Sequence, residues 1–178
     1  NSNVSITGNY TQGNGPLRVG LVTSQMILDS GDVTQITGSG TLNFINATAD
    51  FSTASVVVGN GASGLMTQSN STVTVSNLSI GTSGGTGMYT VSNGSELQTI
   101  DSSTITLGDS MTTGALVISD TSEIDINGNS QLNITNGSLT QGSVGQGSGP
   151  TVNLNEDTEV NIGEGSGTTG VYNLDSGN

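Results

Sequence analysis

Apolar residues in this chain come in pairs two positions apart, split by one polar residue. Val73-Thr74-Val75, Leu78-Ser79-Ile80, Ile105-Thr106-Leu107, Ile124-Asp125-Ile126, Leu132-Asn133-Ile134 and Val160-Asn161-Ile162 all follow the rule. Strict alternation is the period of a strand with one buried face, and no stretch sustains the spacing of a helix. The strands it predicts are short and rich in Val, Ile and Thr, whose branched β-carbons suit a pleated surface.

The pairs belong to a longer phrase that recurs. Leu78-Ser79-Ile80-Gly81 leads to Gly87-Met88-Tyr89-Thr90-Val91, Ile105-Thr106-Leu107-Gly108 to Gly114-Ala115-Leu116-Val117-Ile118, and Val160-Asn161-Ile162-Gly163 to Gly170-Val171-Tyr172-Asn173-Leu174. The glycine closing each pair falls at Gly20, Gly59, Gly81, Gly108 and Gly163, at intervals of 39, 22, 27 and 55 residues. The last interval is close to two of the 27-residue kind, and Ile124 to Ile126 and Leu132 to Ile134 supply material for the missing copy. Units of roughly 20 to 27 residues lie within the period of solenoid proteins, and roughly seven or eight of them fill the chain. Asn-Gly pairs at Asn14-Gly15, Asn60-Gly61, Asn93-Gly94, Asn127-Gly128 and Asn136-Gly137 predict corners, since both residues tolerate positive φ.

Antiparallel hairpins in a β-sandwich are the alternative use of such strands, but the loops of a sandwich have no reason to resemble one another at a fixed period. The expectation is therefore an all-β chain forming one β-solenoid domain over residues 1–178, with seven to eight coils stacked about 4.8 Å apart into a rod about 35 Å long. The stretch from Gly142 to Pro150 carries the least pattern and is expected to loop out between two coils.

Composition agrees with a narrow core. Only 30% of residues are apolar and 3% aromatic. That is lean for a globular domain but sufficient for a tube of stacked aliphatics ordered largely by backbone hydrogen bonds and ladders of like residues. Net charge is −13, with Arg18 the single basic residue and no Lys or His. Nothing here neutralises phosphates, so nucleic acid and anionic membrane surfaces are excluded as partners. No apolar run has the length of a membrane-spanning helix, so no membrane insertion is expected. A chain opening at Asn1 without Met predicts a processed, secreted protein. Eight glycosylation sequons (Asn3, Asn9, Asn46, Asn70, Asn77, Asn93, Asn133, Asn136) are no more than a chain this rich in Asn, Ser and Thr produces by chance.

The same inventory removes most chemistry. Without Cys there are no disulfides or thiolates, and without His no Ser-His-Asp arrangement. Glycines are abundant, but no Gly-rich segment leads into a helix or carries the Lys of a phosphate loop. Carboxylates remain: Asp29 with Asp32; Asp120 with Glu123 and Asp125; Glu156 with Asp157 and Glu159. Two acids suffice to hydrolyse a glycosidic bond, yet these clusters sit at predicted corners, where acids keep a rod soluble, and the chain has no Trp to stack on a sugar. No catalytic residues and no cofactor are expected. Calcium is the one candidate ion, with Asp120, Glu123 and Asp125 as its oxygen ligands, though they lack both the EF-hand loop and the calcium-binding nonapeptide. Thr72-Val73-Thr74 and Thr104-Ile105-Thr106 suggest a flat threonine array of the kind that would bind ice, but the pair does not recur in every unit. Tyr89 and Tyr172 occupy equivalent positions of the phrase, which suggests a stacked structural ladder.

The phrase, carried here by Gly87 to Gly94, Gly170 to Gly177, Leu78 to Gly81 and Asn9-Tyr10-Thr11-Gln12, resembles the repeat of bacterial autotransporter passengers and related large secreted adhesins. The resemblance implies a single-stranded right-handed parallel β-helix, secreted or displayed on the bacterial cell surface, adhesive or scaffolding in role. The pattern starts at Val4-Ser5-Ile6 and stops within a unit at Gly177, which predicts flanking solenoid repeats or end-to-end self-association. The expected function is thus non-catalytic and structural: a surface adhesin or stalk segment, or a self-stacking filament subunit. The alternatives are a polysaccharide-active β-helix enzyme using a carboxylate pair, and a carbohydrate-binding adhesin recognising a host-surface or matrix glycan.

Overall fold

A computed structural model describes residues 3–6, 9–12, 15–16, 33–37, 41–142, 149–163 and 167–174. All regular structure in them is strand. The chain runs through β1 (Asn3–Ile6), β2 (Asn9–Gln12), β3 (Gly15–Pro16), β4 (Val33–Thr37), β5 (Thr41–Ile45) and β6 (Ala47–Asn60). It continues with β7 (Gly64–Ser69), β8 (Thr72–Thr82), β9 (Gly87–Ser92), β10 (Glu96–Leu107), β11 (Gly114–Ser119) and β12 (Glu123–Ile126). Last come β13 (Gln131–Ile134), β14 (Gly137–Gly142), β15 (Thr151–Leu154), β16 (Glu159–Ile162) and β17 (Gly170–Leu174).

Each strand pairs in parallel with its equivalent one coil away, and three faces result. The first stacks β1, β4, the later parts of β6, β8 and β10, then β13 and β16. The second stacks β2, β5, β7, β9, β11, β14 and β17. The third stacks β3, the earlier parts of β6, β8 and β10, then β12 and β15. The architecture is a parallel β-solenoid, and the sandwich alternative falls. Against the expected seven or eight coils, the uninterrupted described run 41–142 makes about four turns, β5 to β14, with further strands stacked in register at both ends.

The apolar pairs form vertical columns inside the tube. Val56, Leu78, Ile105, Leu132 and Val160 lie in one, and Val58, Ile80, Leu107, Ile134 and Ile162 in its neighbour. Ala49, Val73, Leu97, Ile124 and Val152 form a column on the third face. Phe44 and Phe51 are fully buried and meet edge to face, their ring centroids 6.1 Å apart. In the final strands the same inward positions, Val160, Ile162, Tyr172 and Leu174, are exposed, because no rung lies beyond them among the described residues.

Thr135, not a glycine, closes the pair at Leu132 to Ile134, and it divides the long interval into 27 and 28 residues. That is the missing copy. Gly59, Gly81, Gly108 and Gly163 all have positive φ, while Gly20 lies outside the described residues. The second glycine of each phrase aligns too: Gly64, Gly87, Gly114, Gly137 and Gly170 form an unbroken ladder. The two glycines pinch the neck of a loop; a β-carbon on Gly114 would stand 2.6 Å from the Gly108 nitrogen and 1.9 Å from the Ile80 carbonyl oxygen. Gly-loop-Gly in the sequence is therefore the signature of a corner from which the chain leaves the coil and returns.

Asn-Gly corners are met in part. Asn93 and Gly94 both have positive φ, as do Gly61 and Gly128, whereas neither residue of Asn136-Gly137 does, and Asn14 lies outside the described residues. Of the expected loop, Gly142 ends β14 and Pro150 precedes β15; 143–148 lie outside the described residues. Among the described residues no helix is long and apolar enough to cross a membrane.

Candidate functional site

The acidic residues singled out from sequence separate in space. Asp29 and Asp32 lie outside the described residues. Asp120 sits at the corner leaving β11 with positive φ, and its Oδ2 accepts from the Asn93 backbone N–H at 3.3 Å and the Ser119 hydroxyl at 3.2 Å. Glu123 and Asp125 project from the outer side of β12, where the Asn153 side-chain amide donates to Glu123 Oε1 at 2.5 Å and to Asp125 Oδ1 at 2.6 Å. The calcium candidates Asp120, Glu123 and Asp125 are thus divided between a corner and a face. Among the described residues no three acidic groups converge where an ion would sit. In the third cluster Glu156 holds a positive-φ corner and Glu159 lies on the first face, accepting from Gln131 Nε2 at 3.1 Å.

Parallel stacking recruits one acid the sequence reading missed. Glu96 lies one rung from Glu123 on the third face. Partial burial raises its pKa, and the negative charges of Asp125 and Glu123 push it the same way. Chemically this patch holds a proton on Glu96 more tightly than an isolated glutamate would, beside two carboxylates already engaged by an amide. The threonine pairs do not make one array, since Thr72 and Thr74 stack on the third face and Thr104 and Thr106 on the first.

Polar ladders run along the corners, and they account for much of the Ser and Asn content. Before the third face, Ala47 N–H donates to Ser71 Oγ (3.0 Å), Ser71 N–H to Ser95 Oγ (3.2 Å) and Ser95 N–H to Ser122 Oγ (3.2 Å). Pro150, which has no N–H, occupies the next rung. All three serines are buried. At the opposite corner Ser103 N–H donates to Ser130 Oγ at 3.0 Å. Asn46, Asn70, Asn93 and Asp120 hold successive corners with positive φ, and Asn70 Nδ2 donates to Asn46 Oδ1 at 2.7 Å.

Two aspartates that no sequence cluster contained clamp neighbouring coils. Asp101 Oδ1 accepts from the Asn129 backbone and side-chain N–H groups, at 2.9 and 3.3 Å. Asp109 Oδ1 accepts from Met111 N–H (2.9 Å) and the Thr112 hydroxyl (2.7 Å), and its Oδ2 from Ser83 N–H (3.0 Å). The hydrogen bonds favour the charged forms, and both carboxyls are held below their ordinary value, Asp101 chiefly by the Asn129 N–H and Asp109 chiefly by the Met111 N–H.

Tyr89 and Tyr172 share a column, as their places in the phrase imply, but Leu116 and Leu139 stand between them, so they form no aromatic ladder. What recurs is a tyrosine and a glutamine. Tyr89 Oη donates to Gln68 Oε1 at 2.5 Å and Tyr172 Oη to Gln141 Oε1 at 2.6 Å, each glutamine being fully buried in the preceding coil. Gln68 Nε2 then donates to the Ser71 and Glu96 carbonyls (2.7 and 2.6 Å), and Gln141 Nε2 to the Pro150 carbonyl (2.5 Å). Burial raises the pKa of both phenols, Tyr89 the more. The strand positions match once the coils are aligned, but nothing in the local sequence around Gln68 or Gln141 announces the pairing.

The chain is a β-solenoid repeat protein in its architecture; compared with known proteins, it matches no family model, no curated protein and no solved structure.

Proposed function

We propose that this chain is a non-catalytic, extracellular β-solenoid whose work is mechanical: a stalk or adhesin segment of the kind found in bacterial autotransporter passengers, able to take a further coil on its end. The observation that carries the reading is the continuous stacking: Val56, Leu78, Ile105, Leu132 and Val160 follow one another in one column and Ala49, Val73, Leu97, Ile124 and Val152 in another, each coil repeating the one before it in parallel register. Coils joined in this way add to one another without change of register, whether they come from flanking repeats or from a second molecule. Backbone bonding and corner ladders supply rigidity, and outward Asn, Thr and acidic side chains keep the rod in water.

Negative-stain imaging of the 178-residue protein at high concentration tests the self-stacking form, for which rods of many lengths are expected. Dispersed short particles at every pH overturn it. Attaching known solenoid coils to the last strand then tests the stalk form, through a gain in unfolding temperature. One observation favours a second reading, polysaccharide cleavage: Glu96, its pKa raised by burial and by the charges of Asp125 and Glu123, has the character of a proton donor beside two other carboxylates. Release of reducing ends from a polysaccharide panel, lost in Glu96→Gln, supports it, and no release from any member of the panel ends it.

A further inference from the structure

The charges of this protein are distributed unevenly over its three faces. The third carries Asp50, Glu96, Glu123 and Asp125 and the first carries Glu159, while Asp101, Asp109, Asp120, Glu156 and Asp157 occupy corners. The outer side of the second face, from β5 to β17, carries no charged residue among those described. Its outward positions run Leu65, Met88, Ala115, Ser138 and Val171 in one row and Thr67, Thr90, Val117, Thr140 and Asn173 in the next. Ile45, Met88 and Val171 are about two-fifths exposed. At its entry edge the loop before β11 holds Met111, 82% exposed.

We infer that this face is a lateral docking surface for a second copy of the chain, two solenoids packing second face to second face about a two-fold axis. Electrostatics select the face on which a second copy can pack. Net charge is −13, and the single basic residue is Arg18, so a second copy is repelled wherever acids face acids. Among the described residues the second face alone is free of charge along its whole length, so two like-charged rods can approach there with hydroxyl and aliphatic rows in contact and carboxylates held to the rim, the usual layout of an apolar interface centre within a polar border. Six strands at about 4.8 Å, each about 20 Å long, give about 580 Å² per copy and about 1,150 Å² in total. That is the lower limit for a specific interface, so the pairing is weak and reversible. A neutral glycan is the less suitable occupant: Tyr89 and Tyr172 both turn inward, leaving no aromatic side chain on the outer rows for a sugar to stack on. The pairing is independent of end stacking, since a two-fold contact closes at a dimer whereas end stacking grows without limit.

Sedimentation equilibrium from about 10 to about 500 μM, at low and at high salt, reads the association. The expected result is a dimer that tightens with salt, because screening weakens repulsion while the contact itself contains no ion pairs to lose. Met88→Asp with Thr90→Asp alters two outward positions and is expected to weaken the dimer at least about tenfold while leaving circular dichroism and the unfolding midpoint nearly unchanged. A Met88→Lys protein, self-repelling in the same way, is expected to form mixed dimers with the Asp protein. That rescue separates a lost contact from a damaged fold. The inference is overturned by a monomer at all concentrations in high salt or by association indifferent to the Asp pair. Binding to an insoluble neutral polysaccharide through the same two positions, with the protein monomeric in solution, reassigns the face to a glycan and overturns the pairing as well.

Discussion

Replacing Gly114 by Ala isolates the physical meaning of the glycine ladder. Gly114 has no positive φ, so an alanine there is not opposed by its own backbone conformation. Space is the obstacle. The new β-carbon would stand 1.9 Å from the Ile80 carbonyl oxygen and 2.8 Å from its carbon, both main-chain atoms of the neighbouring coil. A carbon-oxygen contact needs about 3.3 Å, so the coils must part locally by more than an ångström. The inter-coil bonds at this corner are Gly108 N–H to the Ile80 carbonyl (2.8 Å), Gly87 N–H to that of Thr113 (3.2 Å) and Gly114 N–H to that of Asn136 (3.4 Å). Losing two or three such bonds, at about 1 kcal/mol each net, with some residual strain, gives about 2–4 kcal/mol.

Gly84→Ala is the matched control, with the opposite properties. Its φ is 86°, but nothing lies within 4 Å of the added carbon, so only the left-handed conformation is penalised, by about 1–2 kcal/mol. Gly81→Ala combines both penalties and is expected to be the worst of the three. Urea unfolding followed by far-ultraviolet circular dichroism measures all three. In a solenoid whose coils contact only their neighbours, a parted corner also divides the array, so Gly114→Ala is expected to broaden or split the transition while Gly84→Ala shifts it intact. A Gly114→Ala midpoint at or above that of Gly84→Ala refutes the close-approach argument.

Ser95→Ala leaves the buried Ser71 N–H without an acceptor and is expected to cost about 1–3 kcal/mol in the same assay. Tyr89→Phe strands Gln68 Oε1 in the core and should cost a similar amount, more than Tyr172→Phe at the half-exposed end pair, and the ultraviolet titration of Tyr89 should lie further above pH 10 than that of Tyr172. Acid stability is expected to be non-monotonic. The raised Glu96 pKa means that protonation favours the folded state, so stability rises slightly as pH falls towards 4.5. The depressed Asp101 and Asp109 values mean that ionisation favours it, so stability falls below pH 3.8 as those two protonate. Thermal midpoints against pH should lose the rise in Glu96→Gln and part of the fall in Asp101→Asn with Asp109→Asn.

What the sequence discloses and what it hides follow one rule: features set within a strand are legible, and features set between coils are not. Alternation at Leu78 to Ile80 marks a strand by itself, and Gly81 marks its corner because few other residues hold that backbone. The Ser71, Ser95 and Ser122 ladder is invisible because each serine matters only through one 24 to 27 residues away, and serines are too common for spacing to single them out. Unequal loop lengths compound this. The Tyr89–Gln68 and Tyr172–Gln141 pairs are 21 and 31 residues apart, so no fixed period finds both. Glu96 was missed for the same reason: its neighbours Glu123 and Asp125 lie a coil away, whereas the sequence groups those two with Asp120, which the fold sends to a corner.

The ladders also explain how so lean a chain excludes water from its core. In an ordinary domain the apolar columns would have to be wide enough to seal the corners, and buried backbone groups there would find partners within long strands. Here a coil turns three times in about 25 residues; at the two corners that flank the third face an N–H group is met by a serine hydroxyl one rung away, and at the glycine corner by a backbone carbonyl. Ser and Thr are the residues that fill such a position without widening the tube, which ties the polar composition to the architecture directly. Replacing Ser71, Ser95 and Ser122 by valine tests this, since Val adds apolar area but accepts no hydrogen bond. If hydrophobic burial sustains the corners, the triple variant gains stability; if the ladder does, it loses more than about 3 kcal/mol, or at least about 1 kcal/mol per broken rung.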